Sequence, residues 1–320
     1  MQRLNLSKWA QNAKRLFAHR LFIQNLESLR NPIPWLVSSE IRSARKSVRD
    51  KISQSTESES YGNQDKQGLT LFAKLASLYE SLEIPREGFT DCHLTAVVGL
   101  MSNVINIMIW AMCEVVANPK LSASLITEIE AVINGSSTNM TIEVDHLRRS
   151  CPLLAATWYE LLRTYGDAPV ARGVYENSLF GDKYRIEKGS ILMTPIHLHN
   201  FDMDIWGEDV ELFRPSRFLE NGGINQELVK HLNVFGLPGM HQCPGRYLAL
   251  NLTVGLLAKC LLIFEFTPTP GEALGEGIVP SRKDTMLGLP ALSRDPIVYL
   301  KRRGEIESVR LLFDNVKPGW

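Results

Sequence analysis

The chain has 320 residues, 44% of them apolar and 22% charged, with 35 basic and 35 acidic side chains. That length buries a substantial core in one large domain or two small ones, and the zero net charge gives no global reason to expect a nucleic-acid partner. Five cysteines, at 92, 113, 151, 243 and 260, lack paired metal-type spacing, which points to a reducing, intracellular setting without a disulfide framework. No zinc motif, phosphate-cradling glycine loop or Gly-x-Ser-x-Gly elbow occurs.

In chain order, Met1 to Gln24 carries Arg3, Lys8, Lys14, Arg15 and Arg20 with no acidic residue, while Leu6, Trp9, Ala13, Leu16 and Phe17 recur at helical spacing. This predicts a basic amphipathic helix, of the kind found in mitochondrial presequences and on membrane surfaces. Ser53 to Gly68 is polar and rich in turn formers, and reads as a flexible connection that sets residues 1–68 apart from 69–320. Leu69 to Leu82 follows as a helix. Leu94 to Ala117 is an uncharged apolar run, broken only by Glu114 near its end, and exceeds the roughly 18 residues that raise the question of a membrane span. Ser102, Asn103 and Asn106 argue against lipid, where unsatisfied amides cost several kcal/mol, and predict instead a long buried helix crossing the protein.

Helices are also expected over Lys120 to Ile133 and Val144 to Arg149. Pro152 opens a further helix in which Glu160 and Arg163, three residues apart, share a face and can pair, although a solvated ion pair has the same spacing. Strand-like pieces are confined to about 168–196, with a turn at Gly189, and to the tail around Ile297 to Leu300. His197 and His199 would stand on one strand face, where packing or solvent exposure explains them as well as metal binding does. The fold expected is mainly α with one small β-sheet.

The run Phe235-Gly-Leu-Pro-Gly239-Met-His241-Gln-Cys243-Pro-Gly245-Arg246 then places one cysteine in a Gly/Pro-rich loop before an apolar helix, Tyr247 to Phe264. Loop N–H groups and the positive helix end would stabilise a thiolate there. Gly239 and Gly245 leave room for a flat macrocycle. These features would serve haem-thiolate ligation, in which a cysteinate favours O–O cleavage. An ordinary thiol in the core is the simpler alternative for Cys243.

Together with Glu160-x-x-Arg163 and Phe213-Arg-Pro215-Ser-Arg217-Phe218, this loop resembles the haem-binding signature of the cytochrome P450 superfamily. Gly239, His241 and Gly245 stand at the expected distances from Cys243, whereas Phe235 lies one residue early and Gly236 takes its usual place. The resemblance covers roughly residues 69–303 and implies the C-terminal part of a truncated fold of that type, the family's anchor, hinge, N-terminal sheet and Trp-x-x-x-Arg helix not being found before Leu94. On this resemblance Met1 to Gln24 would be a helix from the lid region.

The resemblance further implies haem b with Cys243 as the axial iron ligand, Phe235, Gly239 and Gly245 in the cradle, and Arg172 and His241 at the propionates. Glu160, Arg163 and Arg217 would be structural. The Leu94 to Ala117 helix would run over the distal face, with Ser102 and Asn103 at the positions of the family's catalytic acid–alcohol pair. Both differ from that pair, and Asn103 is not ionisable. This substitution resembles the branch of the sterol 7α- and 12α-hydroxylases and prostacyclin synthase. An amide that caps a helix irregularity or bonds a neighbouring helix is the alternative for Asn103.

The activity implied is insertion of one oxygen atom from O2 into a lipophilic small molecule, with an NADPH-dependent reductase as electron donor and no nucleic acid. Endoplasmic reticulum association is implied by the family, and contact with a membrane surface is a further expectation. A lipid peroxide isomerase or dehydratase using the same haem, and a truncated non-catalytic remnant acting as an interaction protein, remain alternatives.

Overall fold

The structure, a computed structural model, describes residues 38–57, 71–133, 139–166, 169–236, 242–268, 279, 282–283, 289–293, 298–304, 306 and 308–313. The amphipathic segment expected over Met1 to Gln24 lies outside the described residues. The chain divides into two compact units, Met1–Ser102 and Asn103–Trp320.

The first unit holds α1 (Ser39–Glu57), α2 (Leu71–Ser81) and the start of α3 (Arg86–Ala117). Helix α1 continues to Glu57, so the polar connection expected from Ser53 begins later. The helix formers Gln54 and Glu57 carry the last turn through the weaker helix residues Ser53, Ser55 and Thr56. The Tyr79 ring meets Phe89 at 5.4 Å and His93 at 5.1 Å, and Arg49 pairs with Asp91 at 3.1 Å.

In the second unit α4 (Pro119–Val132) is capped by Asn118, whose side chain accepts from the Leu121 N–H at 3.0 Å, with Pro119 preset at the first helical position. Its stripe of Leu121, Leu125, Ile126 and Ile129 is buried. After β1 (Asn139–Glu143) and α5 (Val144–Ser150) comes α6 (Pro152–Tyr165), which is buried from Leu154 through Tyr165. Cys151 at its start supplies no side-chain cap. Glu128 on α4 caps it from outside instead, accepting from the Leu153 and Leu154 N–H groups at 2.8 and 2.9 Å. Burial raises the Glu128 carboxyl above its usual range, against the two N–H bonds. Cys151 itself is wholly buried, and desolvation with the nearby Glu128 charge pushes its thiol up to about 12.

Then follow β2 (Val170–Gly173), β3 (Ser178–Phe180), β4 (Tyr184–Ile186), β5 (Ile191–Thr194), α7 (Ile196–Asn200), α8 (Met203–Trp206), a 3-10 turn over Pro215–Phe218, β6 (Leu219–Glu220), β7 (Gly223–Ile224), α9 (Gln226–Val229) and α10 (Arg246–Ile263). The tail contributes β8 (Phe264–Pro268), β9 (Arg282–Lys283), β10 (Ala291–Leu292), β11 (Val298–Arg302) and β12 (Ser308–Leu312). Helix α10 packs against α4, α5, α6 and β12. Gly255 permits this approach, since a Cβ there would lie 2.9 Å from a Val144 methyl and 3.2 Å from Leu311.

Three expectations are corrected. The described strands form six two-stranded ladders rather than one small sheet, including β1 parallel to β12 and β8 antiparallel to β11. β3–β4 and β6–β7 are local hairpins, the latter across Asn221-Gly222, whereas β1–β12 and β8–β11 join sequence-distant partners that carry no local hairpin signal. His197 and His199 lie in helix α7, and His199 donates through Nε2 to the His231 carbonyl at 2.8 Å, a structural bond. Helix α3 is buried over its C-terminal half, at Ile107, Trp110, Ala111 and Cys113 to Val116, while Thr95, Gly99 and Asn103 are exposed. An apolar run signals burial without saying how much of it a partner covers.

Candidate functional site

Helix α6 brings the Glu-x-x-Arg pair into the core. Glu160 and Arg163 have wholly buried side chains and form a forked pair, with Arg163 Nε donating to Oε2 at 2.9 Å and Nη2 to Oε1 at 2.8 Å. The 3-10 turn at Pro215 delivers Arg217, whose Nε stands 3.5 Å from Glu160 Oε2. Arg217 also pairs with Asp209 at 2.8 Å and donates to the carbonyl oxygens of Trp206 and Asp209. The Arg214 N–H donates to Glu160 Oε1 at 2.8 Å. Arg163 reaches the Asn200 carbonyl at 3.0 Å, and Asn200 in turn donates to the Gly166 carbonyl at 2.7 Å. The pair is therefore part of a buried network rather than a solvated surface contact.

Asp209 escaped the sequence reading, although one signal was available. Two arginines against one glutamate leave an excess positive charge that burial does not tolerate, so a second carboxylate is required. The hydrogen bond from Arg217, followed by the Arg217 and Arg214 charges, holds the Asp209 carboxyl below its usual range. Asn200 and the main-chain partners carry no such signal, because loop backbone supplies them.

Cys243 is exposed, and its N–H donates to the Phe235 carbonyl at 2.9 Å. The Phe235 ring stacks on Trp158 of α6 with centroids 6.4 Å apart, so one residue joins the cysteine loop to the helix bearing the buried network. Gly245 precedes α10 without a side-chain cap, leaving the positive helix end beside the loop. Arg246 Nη1 donates to the Cys243 carbonyl at 2.9 Å, and its guanidinium lies over the Tyr247 ring at 4.3 Å. An apolar cavity of about 160 Å³ adjoins the loop, lined in part by Trp158, Leu162, Phe235, Gln242, Arg246 and Leu250. Gly239 and His241 lie outside the described residues.

Arg172 stands exposed on β2 opposite Leu192 of β5, its guanidinium donating to the Ala171 carbonyl at 2.8 Å. Ser102 lies on α3. Asn103 on the same helix is exposed, and its Oδ1 accepts from the Leu289 N–H at 3.1 Å. The structure thus gathers Glu160, Arg163 and Arg217 into one cluster, and Phe235, Cys243 and Gly245 into another.

Gly245 tests whether this site suits a flat cofactor. A Cβ there would lie 3.8 Å from Cys243 Sγ with no other described heavy atom within 4 Å. Glycine thus keeps open the space beside an exposed sulfur, and haem-thiolate ligation fits the residues present.

A mainly helical chain with an exposed cysteine at a glycine-capped helix start, braced by a buried Glu–Arg–Arg cluster, defines the class of haem-thiolate folds. A family model described as Cytochrome P450 matches residues 4–287, and the chain belongs to that family. Membership implies haem with cysteine-thiolate iron ligation. The match begins 65 residues (69 − 4) ahead of the motif resemblance, so the front segment falls within the same family.

A cytochrome P450 monooxygenase, nodJ, of Hypoxylon pulicicidum is 26% identical over 255 residues, covering 76% of this chain and 48% of that protein. A cytochrome P450 monooxygenase of Gibberella zeae is 28% identical over 179 residues, covering 53% and 34%. Cytochrome P450 7B1 of Mus musculus is 29% identical over 199 residues, covering 57% and 39%. The chain spans about half the length of these curated relatives or less.

Proposed function

We propose that this chain is a haem-thiolate oxidoreductase that inserts one oxygen atom from O2 into a lipophilic small molecule, two electrons from an NADPH-dependent reductase and two protons reducing the other atom to water. Residues 69–320 are its C-terminal haem-binding portion, and association with the endoplasmic reticulum membrane belongs to the same reading. The observation that carries it is the exposed Cys243 sulfur beside the space kept open at Gly245.

Haem bound through the thiolate supplies the O–O cleaving chemistry. The chain's own residues hold and orient it. Cys243 is the ligand, Phe235 anchors its loop on Trp158, and Gly239 and Gly245 give the ring room. Arg172 and His241 would meet the propionates as charge-assisted contacts, and Glu160, Arg163 and Arg217 would keep the supporting layer rigid. Ser102 and Asn103 hold the sequence positions of the family's acid–alcohol pair on α3, with a non-ionisable amide in place of the acid.

One observation favours a second reading, a lipid peroxide isomerase or dehydratase that needs no reductase. Asn103 is not ionisable and its amide oxygen already accepts the Leu289 N–H, so it is poorly placed to relay protons to oxygen. Turnover of a lipid hydroperoxide without NADPH separates the two.

The test of the main reading is the reduced carbon monoxide spectrum after haem reconstitution. The unmodified chain shows the thiolate-type Soret band and Cys243→Ser abolishes it. A chain that never shows the band sinks catalysis by this protein.

A further inference from the structure

Leu289 and Pro290 offer three backbone hydrogen-bonding groups, because proline has no N–H. Side chains from one helix take all three. The Leu289 N–H donates to Asn103 Oδ1 at 3.1 Å, Asn106 Nδ2 donates to the Leu289 carbonyl at 3.3 Å, and Trp110 Nε1 donates to the Pro290 carbonyl at 2.8 Å. Positions 103, 106 and 110 share a face of α3 at the i, i+3, i+7 spacing. The backbone also dictates the amide orientations. An N–H only donates, so Asn103 presents oxygen, and a carbonyl only accepts, so Asn106 presents nitrogen. Helix α3 therefore stands in for a neighbouring strand along this dipeptide, which runs directly into β10.

Burial grades the three bonds. Trp110 is 0% exposed and stacks on Tyr165 at 4.2 Å, and Pro290 is buried beneath it. Asn106 is half-buried and Asn103 exposed. Water competes at the Asn103 end and is excluded at the Trp110 end. Leu289 and Leu292 pack partly buried against the core, so any displacement of the segment moves two apolar side chains.

We propose that Asn103, Asn106 and Trp110 clamp the backbone of the 289–292 segment at Leu289 and Pro290, and that Asn103 is a positioning residue which shapes the substrate chamber through that segment instead of moving protons. The clamp stands on the hydrogen bonds alone, whereas its effect on the chamber rests on the haem-thiolate reading above. The two asparagines have opposite tolerances. Aspartate at 103 still accepts the Leu289 N–H, while aspartate at 106 loses its donor and sets a carboxylate against a carbonyl.

The experiment measures hydrogen exchange at the Leu289 amide in the full chain. It adds, for the haem-reconstituted ferric protein, the ratio of affinities for imidazole and 4-phenylimidazole. Asn103→Asp keeps wild-type exchange and ratio. Asn103→Leu and Asn106→Asp each speed Leu289 exchange about tenfold, the scale of one lost hydrogen bond, and shift the ratio several-fold while the thiolate band persists. Unchanged exchange in Asn103→Leu, or equal damage from both aspartates, overturns the clamp. Altered exchange with an unchanged ratio overturns the role in shaping the chamber. An unmodified chain that lacks the thiolate band but shows the predicted exchange pattern upholds the clamp and refutes the haem reading instead.

Discussion

Replacing Glu160 by glutamine removes the one anion that faces two buried guanidiniums. In the folded chain Arg163 then keeps the Asn200 carbonyl at 3.0 Å and the Leu212 carbonyl at 3.4 Å, but no carboxylate, inside a site where its side chain is 0% exposed. Arg217 keeps Asp209 at 2.8 Å. Two unit charges about 4 Å apart interact by about 4 kcal/mol at an effective dielectric near 20. Breaking a buried pair by removing one partner costs about 3–5 kcal/mol. The two figures agree. Against an ordinary folding stability of about 5–15 kcal/mol, Glu160→Gln leaves the chain marginal.

Arg163→Met costs less, because Glu160 retains the Arg214 N–H at 2.8 Å and Arg217 at 3.5 Å. The double variant costs less than the sum of the singles, since the bare cation is gone. Urea unfolding followed by tryptophan fluorescence reads all three, with Trp206 lying 5.8 Å from the Arg163 guanidinium as a local reporter. Glu160→Gln no more destabilising than Arg163→Met, or strictly additive losses, would refute the shared-anion account.

Cys151 makes stability fall with alkali. Its folded pKa is raised, so the stability it contributes is complete below the unfolded value near 9.0 and is lost as pH rises towards about 12. The slope approaches about 1.4 kcal/mol per pH unit, and Cys151→Ala flattens it in urea midpoints measured from pH 8 to 10.5. Gly166→Ala places a Cβ 2.5 Å from the Leu162 carbonyl oxygen and 2.6 Å from Val234, and should cost about 1–3 kcal/mol by the same assay. Iodoacetamide at pH 8 labels the exposed Cys243 and spares the wholly buried Cys151, as peptide mapping will show, and prior haem loading protects Cys243. Asn118→Ala removes the α4 cap and costs about 1 kcal/mol, checked by thermal midpoint.

Much of this was legible in the linear chain wherever the signal is local. Helix α6 begins at Pro152 because a proline there is preset and loses no bond, and α10 ends at Ile263, one residue from the expected limit. The expected boundaries of α4 and α5 also lie within a residue or so of those observed. Glu160, Arg163 and Arg217 were marked by motif order, and Cys243 by the glycines around it. The parallel pairing of β1 with β12 was invisible, because it joins Asn139 to Ser308 across most of the second unit and neither strand has an alternating pattern long enough to announce a partner. The His197-Leu-His199 alternation misled, since a five-residue helix and a strand cannot be told apart at that length.

Residue identity by itself determined the cysteine in a glycine-rich loop before an apolar helix and the charges at positions 160, 163 and 217, because a covalent spacing of a few residues fixes which groups can share a loop or a helix turn. Only tertiary structure decided that Asp209 balances the second arginine, that Glu128 caps α6 from another helix, and that Asn103 spends its oxygen on the Leu289 N–H. Each of those contacts satisfies a buried charge or an unpaired backbone group, and the partner is whichever atom packing brings within about 3 Å, a matter on which sequence distance is silent.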